Sequence, residues 1–287
     1  MSREVSARGS ITLPAPAWHV PRRARTFLFK ASLAIIYGFM LLPIVIVVGA
    51  AVNAGEYLTF PPQGFSLRWF VRFFESGPFV RAFVFSLRLG ALTTLSSTLI
   101  GTLAALYLVR HASRYREALR MFMVSPLLFP AILTGVALLI YYYGLGMGGG
   151  SYAGLLIGHV LVTVPYVFLA VTTTLYNFDR TLEEAARSLG ASRAKTFFLV
   201  TLPIIKGGIF SGAIFSFIVS FDQFPISLLL KGVGTIPLPI QLYDYLRFSF
   251  DPTAAAVSTI SILLAVAVVL VTERFVGLES LYWRTGR

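Results

Sequence analysis

Fifty-eight successive residues, between Arg120 and Asp179, contain no Asp, Glu, Lys or Arg. A membrane-spanning helix needs about 20 apolar residues, so this run holds two of them. Gly144-Leu145-Gly146-Met147-Gly148-Gly149-Gly150-Ser151 is the turn between them. Further uncharged stretches separate Lys30 from Glu56 (25 residues), Arg88 from Arg110 (21), Lys206 from Asp222 (15) and Asp251 from Glu273 (21). Eight more uncharged residues follow Asp222 before Lys231. The pattern predicts an all-α polytopic membrane bundle of six transmembrane helices, at about 29–52, 82–109, 120–143, 152–176, 207–230 and 253–273. Composition agrees: 56% of residues are hydrophobic and 13% charged, about half the charge of a soluble domain. Disorder is excluded by that hydrophobicity, and a disulfide-stapled domain by the absence of Cys.

Lys and Arg set the expected orientation. Eighteen fall in 1–30, 110–120, 177–206 and 273–287, against five in the alternate loops. The basic side is therefore read as cytoplasmic, with both termini inside. The expected organisation is a cytoplasmic tail at 1–26, a transmembrane domain at 27–275 with a cytoplasmic loop at 177–206, and a second tail at 276–287. The excess of 24 basic over 12 acidic residues is then mostly topology. Nucleic-acid binding is the poorer explanation, because no dense basic run is interleaved with aromatics. The first span is too long for a signal peptide and is followed by no small-residue cleavage pattern.

Catalytic chemistry is hard to find. His19, His111 and His159 are too scattered for a metal site. There is no P-loop, so the chain has no such means of binding ATP, and neither G-x-S-x-G nor H-E-x-x-H occurs. The expectation is no catalytic residue, no metal and no cofactor held by this chain.

The loop 177–206 stands apart. It reads as two short helices with a break between them. Thr181 is expected to cap the first, with Glu184 completing a capping box. Leu182, Ala185, Ala186 and Leu189 form an apolar stripe at helical spacing. Gly190 ends the helix. Ser192 is placed to cap a second helix through Phe197, Phe198 and Leu199, which Pro203 stops or kinks. The stripe calls for a covering surface, either the chain's own helix ends or another protein.

Glu184-Ala185-Ala186, then Gly190, then Val200-Thr201-Leu202-Pro203 resembles the EAA motif of ABC-importer permeases, E-A-A-x3-G-x9-I-x-L-P, with Val200 for Ile. The resemblance covers about residues 27–275 and implies a type I importer-like permease of the bacterial inner membrane. It implies that Glu184, Ala185, Ala186, Gly190, Leu202 and Pro203 belong to coupling helices that dock on an ATPase. It also implies the partners: a homologous second permease chain, two ATPase subunits that bind the ATP and Mg, and an extracytoplasmic binding protein. Within the family the chain is most similar to the second permease of spermidine/putrescine-type importers, through Gly64-Phe65-Ser66-Leu67-Arg68-Trp69-Phe70, Ser220-Phe221-Asp222-Gln223-Phe224 and Thr235-Ile236-Pro237-Leu238-Pro239. The implied substrate is a small cationic, polyamine-like amine. Permeases of that group often carry two adjacent acids where this chain has Asp222-Gln223, so an amino-acid derivative, opine or aminophosphonate is the alternative. A stand-alone secondary transporter or channel is the other function class, but such a carrier has no ATPase for the loop to dock on.

Ionisable groups inside the membrane are costly and often functional. Arg88 and Asp222 are the two here. Arg88 lies about 33 Å along a helix from Arg110, and Asp222 about 24 Å from Lys206, at 1.5 Å per residue. Arg88 can snorkel outward, whereas Asp222 needs a cavity or a partner. Pro225 predicts a broken helix beside it, which suits a translocation path. Three readings are open: Asp222 facing a cavity, Asp222 paired with Arg88, or a span boundary that falls elsewhere. Gln223 and Tyr142 complete the candidate path. Tyr141, Tyr142 and Tyr143 also fit an aromatic belt. Tyr243, Tyr245, Phe248 and Phe250 fit either a membrane surface or contact with an external binding protein.

Overall fold

The computed structural model describes residues 22–111, 114–146 and 148–276. The N-terminal tail before Arg22, Met147 of the glycine turn and the C-terminal tail from Gly277 lie outside them. The chain divides into two compact units, 1–46 and 47–287. The first contains most of α1 (Arg22–Ala51), a helix long and apolar enough to cross a membrane.

In the second unit α2 (Arg68–Glu75) leads into α3 (Gly77–Arg110). There follow α4 (Arg116–Leu128), α5 (Ala131–Gly144), α6 (Tyr152–Tyr176), α7 (Thr181–Ser188) and α8 (Arg193–Thr196). A π-helical turn at Phe197–Thr201 joins α8 to α9 (Leu202–Phe221). The unit ends with α10 (Phe224–Leu230), α11 (Leu238–Leu246) and α12 (Thr253–Val276). The described residues contain no strand, and one isolated bridge pairs Asn53 with Phe65. Buried Asn53 organises that turn. Its Oδ1 accepts from the N–H groups of Gly55 (3.1 Å) and Gln63 (2.8 Å), while Trp69 Nε1 donates to its carbonyl at 2.8 Å.

Two of the six expected spans are bent or broken. The expected span 120–143 is two helices, α4 and α5, meeting at 100°. Pro130 explains the break: the residue before a proline is driven out of the α region, and Phe129 sits at φ −100°, ψ 141°. The expected span 207–230 is α9 and α10, separated at Asp222 and Gln223. Pro225 falls in the first turn of α10, where its missing N–H costs nothing. The helical run feeding this span begins as early as Arg193. Pro203 therefore does not stop it. In an α register the Leu199 carbonyl would face the proline ring. The π turn, closed by Leu202 N–H donating to the Phe197 carbonyl, widens the helix at that point. By length and composition, five helices among the described residues are able to cross a membrane, or six when α4 and α5 count as one bent span.

The centre of this unit is α6, packed between α3 and α9. In lipid, helices associate through close packing and small residues rather than hydrophobic burial. Gly101 of α3 and Gly212 of α9 both lie against Val167 of α6. A Cβ on Gly101 would sit 2.8 Å from Val167 Cβ, and one on Gly212 2.7 Å from Val167 Cα. Leu108, Phe168, Val171 and Ile205 fill the adjoining core.

Candidate coupling loop and intramembrane site

The loop after α6 folds as two helices joined by a glycine turn, but its start differs from the expectation. Thr181 is the first residue of α7, not its cap. Asp179 Oδ1 instead accepts the Thr181 N–H at 2.9 Å. Hydrogen bonds from the Thr181 backbone and side chain hold that carboxyl below its ordinary value. The N-cap position falls to Arg180, which makes no side-chain cap bond, and Asp179 closes an Asx-type turn just ahead of it. At the other end Gly190 has φ +88°. Ala191 N–H donates to the Ala186 carbonyl (3.1 Å) and Gly190 N–H to the Arg187 carbonyl (2.9 Å), the Schellman arrangement that favours glycine. Ser192 Oγ accepts from Lys195 N–H at 3.3 Å and starts α8.

This geometry presents the apolar stripe outward. Leu182 is 48% and Leu189 89% exposed, and Ala185 is also open. Among the described residues, the chain's own helix ends therefore do not cover these positions. Glu184 is exposed on the rim of a small cavity of about 150 Å³ beside Arg180 and Arg187. Ala186 and Leu202 are half-buried, and Pro203 is exposed.

The residue that ties α7 to the bundle is Glu183, which the sequence pattern did not single out. Its carboxylate pairs with Arg110 at the end of α3 and accepts from Thr201 Oγ1 in the π turn. Arg110 also donates to Thr201 Oγ1 at 3.3 Å. Arg180 donates to the Val109 carbonyl at 2.8 Å. The clasp joins three segments separated by 18 to 91 residues in the chain, a separation that no local pattern reveals.

The second candidate site lies at the break between α9 and α10. Asp222 closes α9, its N–H donating to the Ile218 carbonyl at 3.2 Å. It lines a cavity of about 270 Å³ walled by α9, α11 and α12, with Phe217, Phe221, Leu242, Ser258 and Ser261 among its neighbours. Arg88 is elsewhere, in a cavity of about 450 Å³ with Arg81, Phe85, Ile236 and Gln241. Among the described residues the ion pairs are Arg72–Asp251, Arg110–Glu183 and Lys231–Asp244. The structure thus has Asp222 lining a cavity and, among the described residues, no ion pair between Asp222 and Arg88. Gln223 is buried. Tyr142 is buried too, 4% exposed, with its hydroxyl donating to the Gly154 carbonyl at 3.1 Å. It belongs to the packed core formed with Leu155 and Ile226 and does not line the Asp222 cavity. Tyr141 and Tyr143 flank it outward, 60% and 64% exposed, as belt residues stand.

Across the break, α6 supplies His159, which is fully buried. Its Nδ1 meets Ser220 Oγ at 2.9 Å and its Nε2 meets Ser227 Oγ at 3.0 Å. Nothing in the sequence marks these contacts, because the serines are 61 and 68 residues away. At the far end of α11, Tyr245 packs on Phe79 with ring centroids 5.1 Å apart. Its hydroxyl donates to Asp251 at 2.7 Å, while Phe248 and Phe250 remain exposed.

The comparisons with known proteins agree with this architecture. Residues 97–277 match the model for binding-protein-dependent transport system inner membrane components. The chain is 29% identical to the spermidine/putrescine transport system permease protein PotC of Haemophilus influenzae, over 87% of this chain and 96% of that one. It is 31% identical to the putrescine transport system permease protein PotI of Escherichia coli, over 81% and 84%. It also superposes on a chain of a bacterial alginate ABC transporter crystallised with an alginate pentasaccharide-bound periplasmic protein, with TM-score 0.67 and 20% identity over 87% and 94%. The chain therefore belongs to the binding-protein-dependent transport system inner membrane components: it is an inner-membrane permease subunit of an ABC importer, a transport component and not an enzyme.

Proposed function

We propose that this permease carries a small cationic amine of the polyamine type across the inner membrane. In this reading both termini are cytoplasmic, and the loop 177–206 docks on one of two ATPase subunits, which bind the ATP and Mg. A second, homologous permease completes the pathway, and an external binding protein delivers the solute. The observation that carries the reading is Asp222. Its carboxylate lies at the C-terminal end of α9, beside a cavity bounded by aromatic side chains and two serines. A helix C-terminus carries partial negative charge, so dipole and carboxylate act in the same direction on a cation. Aromatic faces add to that attraction. The names of the similar proteins support the substrate class. The exposed Leu182–Leu189 stripe supports the docking role.

The test is uptake of labelled putrescine and spermidine by membrane vesicles holding the assembled importer. Asp222→Asn keeps the shape and removes the charge. A hydrogen bond to a charged group contributes about 1.5–3 kcal/mol, so KM for the amine is expected to rise by at least about tenfold with the complex intact. Unchanged uptake of both amines would overturn the assignment of Asp222. Saturable uptake of a neutral or zwitterionic amino-acid derivative, with neither amine transported, would overturn the substrate class.

A further inference from the structure

A helix interrupted inside a membrane leaves its two halves free to reorient unless something outside the linker holds them. Here Asp222 and Gln223 are the whole linker between α9 and α10. A side chain of α6 bonds both halves: His159 meets Ser220, two residues before Asp222, and Ser227, four residues after Gln223. All three groups are buried. In a membrane interior no water stands ready to replace a lost partner, so such bonds are costly to break. A neutral imidazole has one N–H and one lone-pair nitrogen, so one serine donates to the ring and the other accepts from it. The ring is itself anchored. Thr163 Oγ1 donates to the His159 carbonyl at 2.8 Å, and Ser97 Oγ of α3 lies 2.6 Å from Thr163 Oγ1. A buried polar chain thus runs from α3 through α6 to both sides of the break.

We propose that His159 is a positioning residue which sets the angle of the α9–α10 break and so fixes how the residue at 222 faces its cavity. Movement of α6 against α3 is transmitted through the ring to both half-helices at once. The inference rests on the reading of Asp222 as a group of the transport path, but its test does not depend on transport.

The chain has no Cys, so Asp222→Cys gives it a single thiol. Its rate of modification by a water-soluble cationic thiol reagent is measured in membranes holding the assembled importer and read on this chain after gel separation. The rate is compared in four backgrounds: unaltered, Ser220→Ala, Ser227→Ala and His159→Phe. Each serine variant removes one oxygen from the staple and leaves the ring in place, so the test stands even where His159→Phe fails to assemble. Loss of one buried hydrogen bond shifts a two-state equilibrium by about fivefold or more, and a rate change of that size is expected in both serine variants. Thr172→Val serves as the control, because the buried Thr172 hydroxyl on α6, the helix of His159, has no hydrogen-bond partner among the described residues; its rate is expected to match the unaltered background. Rates within twofold of the control in both serine variants would overturn the proposal. If Asp222→Asn leaves uptake intact while the labelling rates change, the substrate reading falls and the staple stands.

Discussion

Replacing Glu183 by Gln keeps the shape of the side chain that clasps α7 to the end of α3 and removes its charge. The Glu183 and Arg110 side chains are 18% and 28% exposed. That places the pair between a surface ion pair, worth at most about 1 kcal/mol, and a buried one, whose breaking costs about 3–5 kcal/mol. The amide oxygen of the introduced glutamine would still accept from Thr201, so the loss is the charge-assisted part of the contact, about 2 kcal/mol. The loss is local, because among the described residues Glu183, with the Arg180 bond to Val109 just before α7, supplies the side-chain hydrogen bonds from this segment to the bundle. The expected result is local opening of 181–189 about thirtyfold more often, by the usual factor of ten per 1.4 kcal/mol. Hydrogen exchange on the detergent-solubilised importer reads this directly, with the α6 amides as an internal reference. The double variant Arg110→Gln with Glu183→Gln should open little more than the single one, since the two residues share one interaction. Exchange within threefold of the unaltered protein, or fully additive effects in the double variant, would refute the clasp.

Gly190→Ala meets open space but must hold φ +88°, so it should weaken α7 by about 1 kcal/mol, read by the same exchange experiment; Gly190→Asn should cost less. Gly212→Val would drive a Cβ to within 2.7 Å of Val167 Cα, and the overpacking should cost about 1–3 kcal/mol, seen as a lower melting temperature of the purified complex. At Asp251 burial pushes the carboxyl up, but bonds from Thr253 and Tyr245 and the charge of Arg72 outweigh it, leaving a depressed value. The folded form thus binds its proton less readily than the unfolded chain, and the contribution is present above the ordinary carboxylate range and lost as pH falls through the folded value. Thermal stability should decline in acid, and Asp251→Asn should flatten that decline.

What the sequence disclosed was whatever is local or periodic. The charge-free runs located the helices, and α6 occupies Tyr152–Tyr176, between the glycine turn and the charges that begin at Asp179. Gly190 and Ser192 act as a glycine terminator and a serine cap do anywhere. The breaks were harder, because a proline has opposite effects by position. Pro225 starts a helix, Pro130 bends one by 100°, and Pro203 is accommodated by a π turn; the identity of the residue does not decide among these. Contacts that join distant segments left no trace. No pattern singled out Glu183, and His159 counted only as one of three scattered histidines; tertiary packing brings Arg110 to the one and two serines to the other. Tyr142 errs the other way: a run of three tyrosines suggests one environment, yet helical rotation buries the middle ring and exposes its neighbours.

The proposed docking of the 177–206 loop on an ATPase is tested most directly by cross-linking from Leu189, the exposed apolar residue that follows α7. Leu189→Cys gives this cysteine-free chain one thiol at a position 89% exposed, and a bifunctional reagent is applied to membranes holding the assembled importer. A cross-link to the ATPase subunit whose yield changes when nucleotide is added is the predicted outcome. A thiol at 189 that reacts freely with reagent, with no ATPase adduct in any nucleotide state, would contradict it.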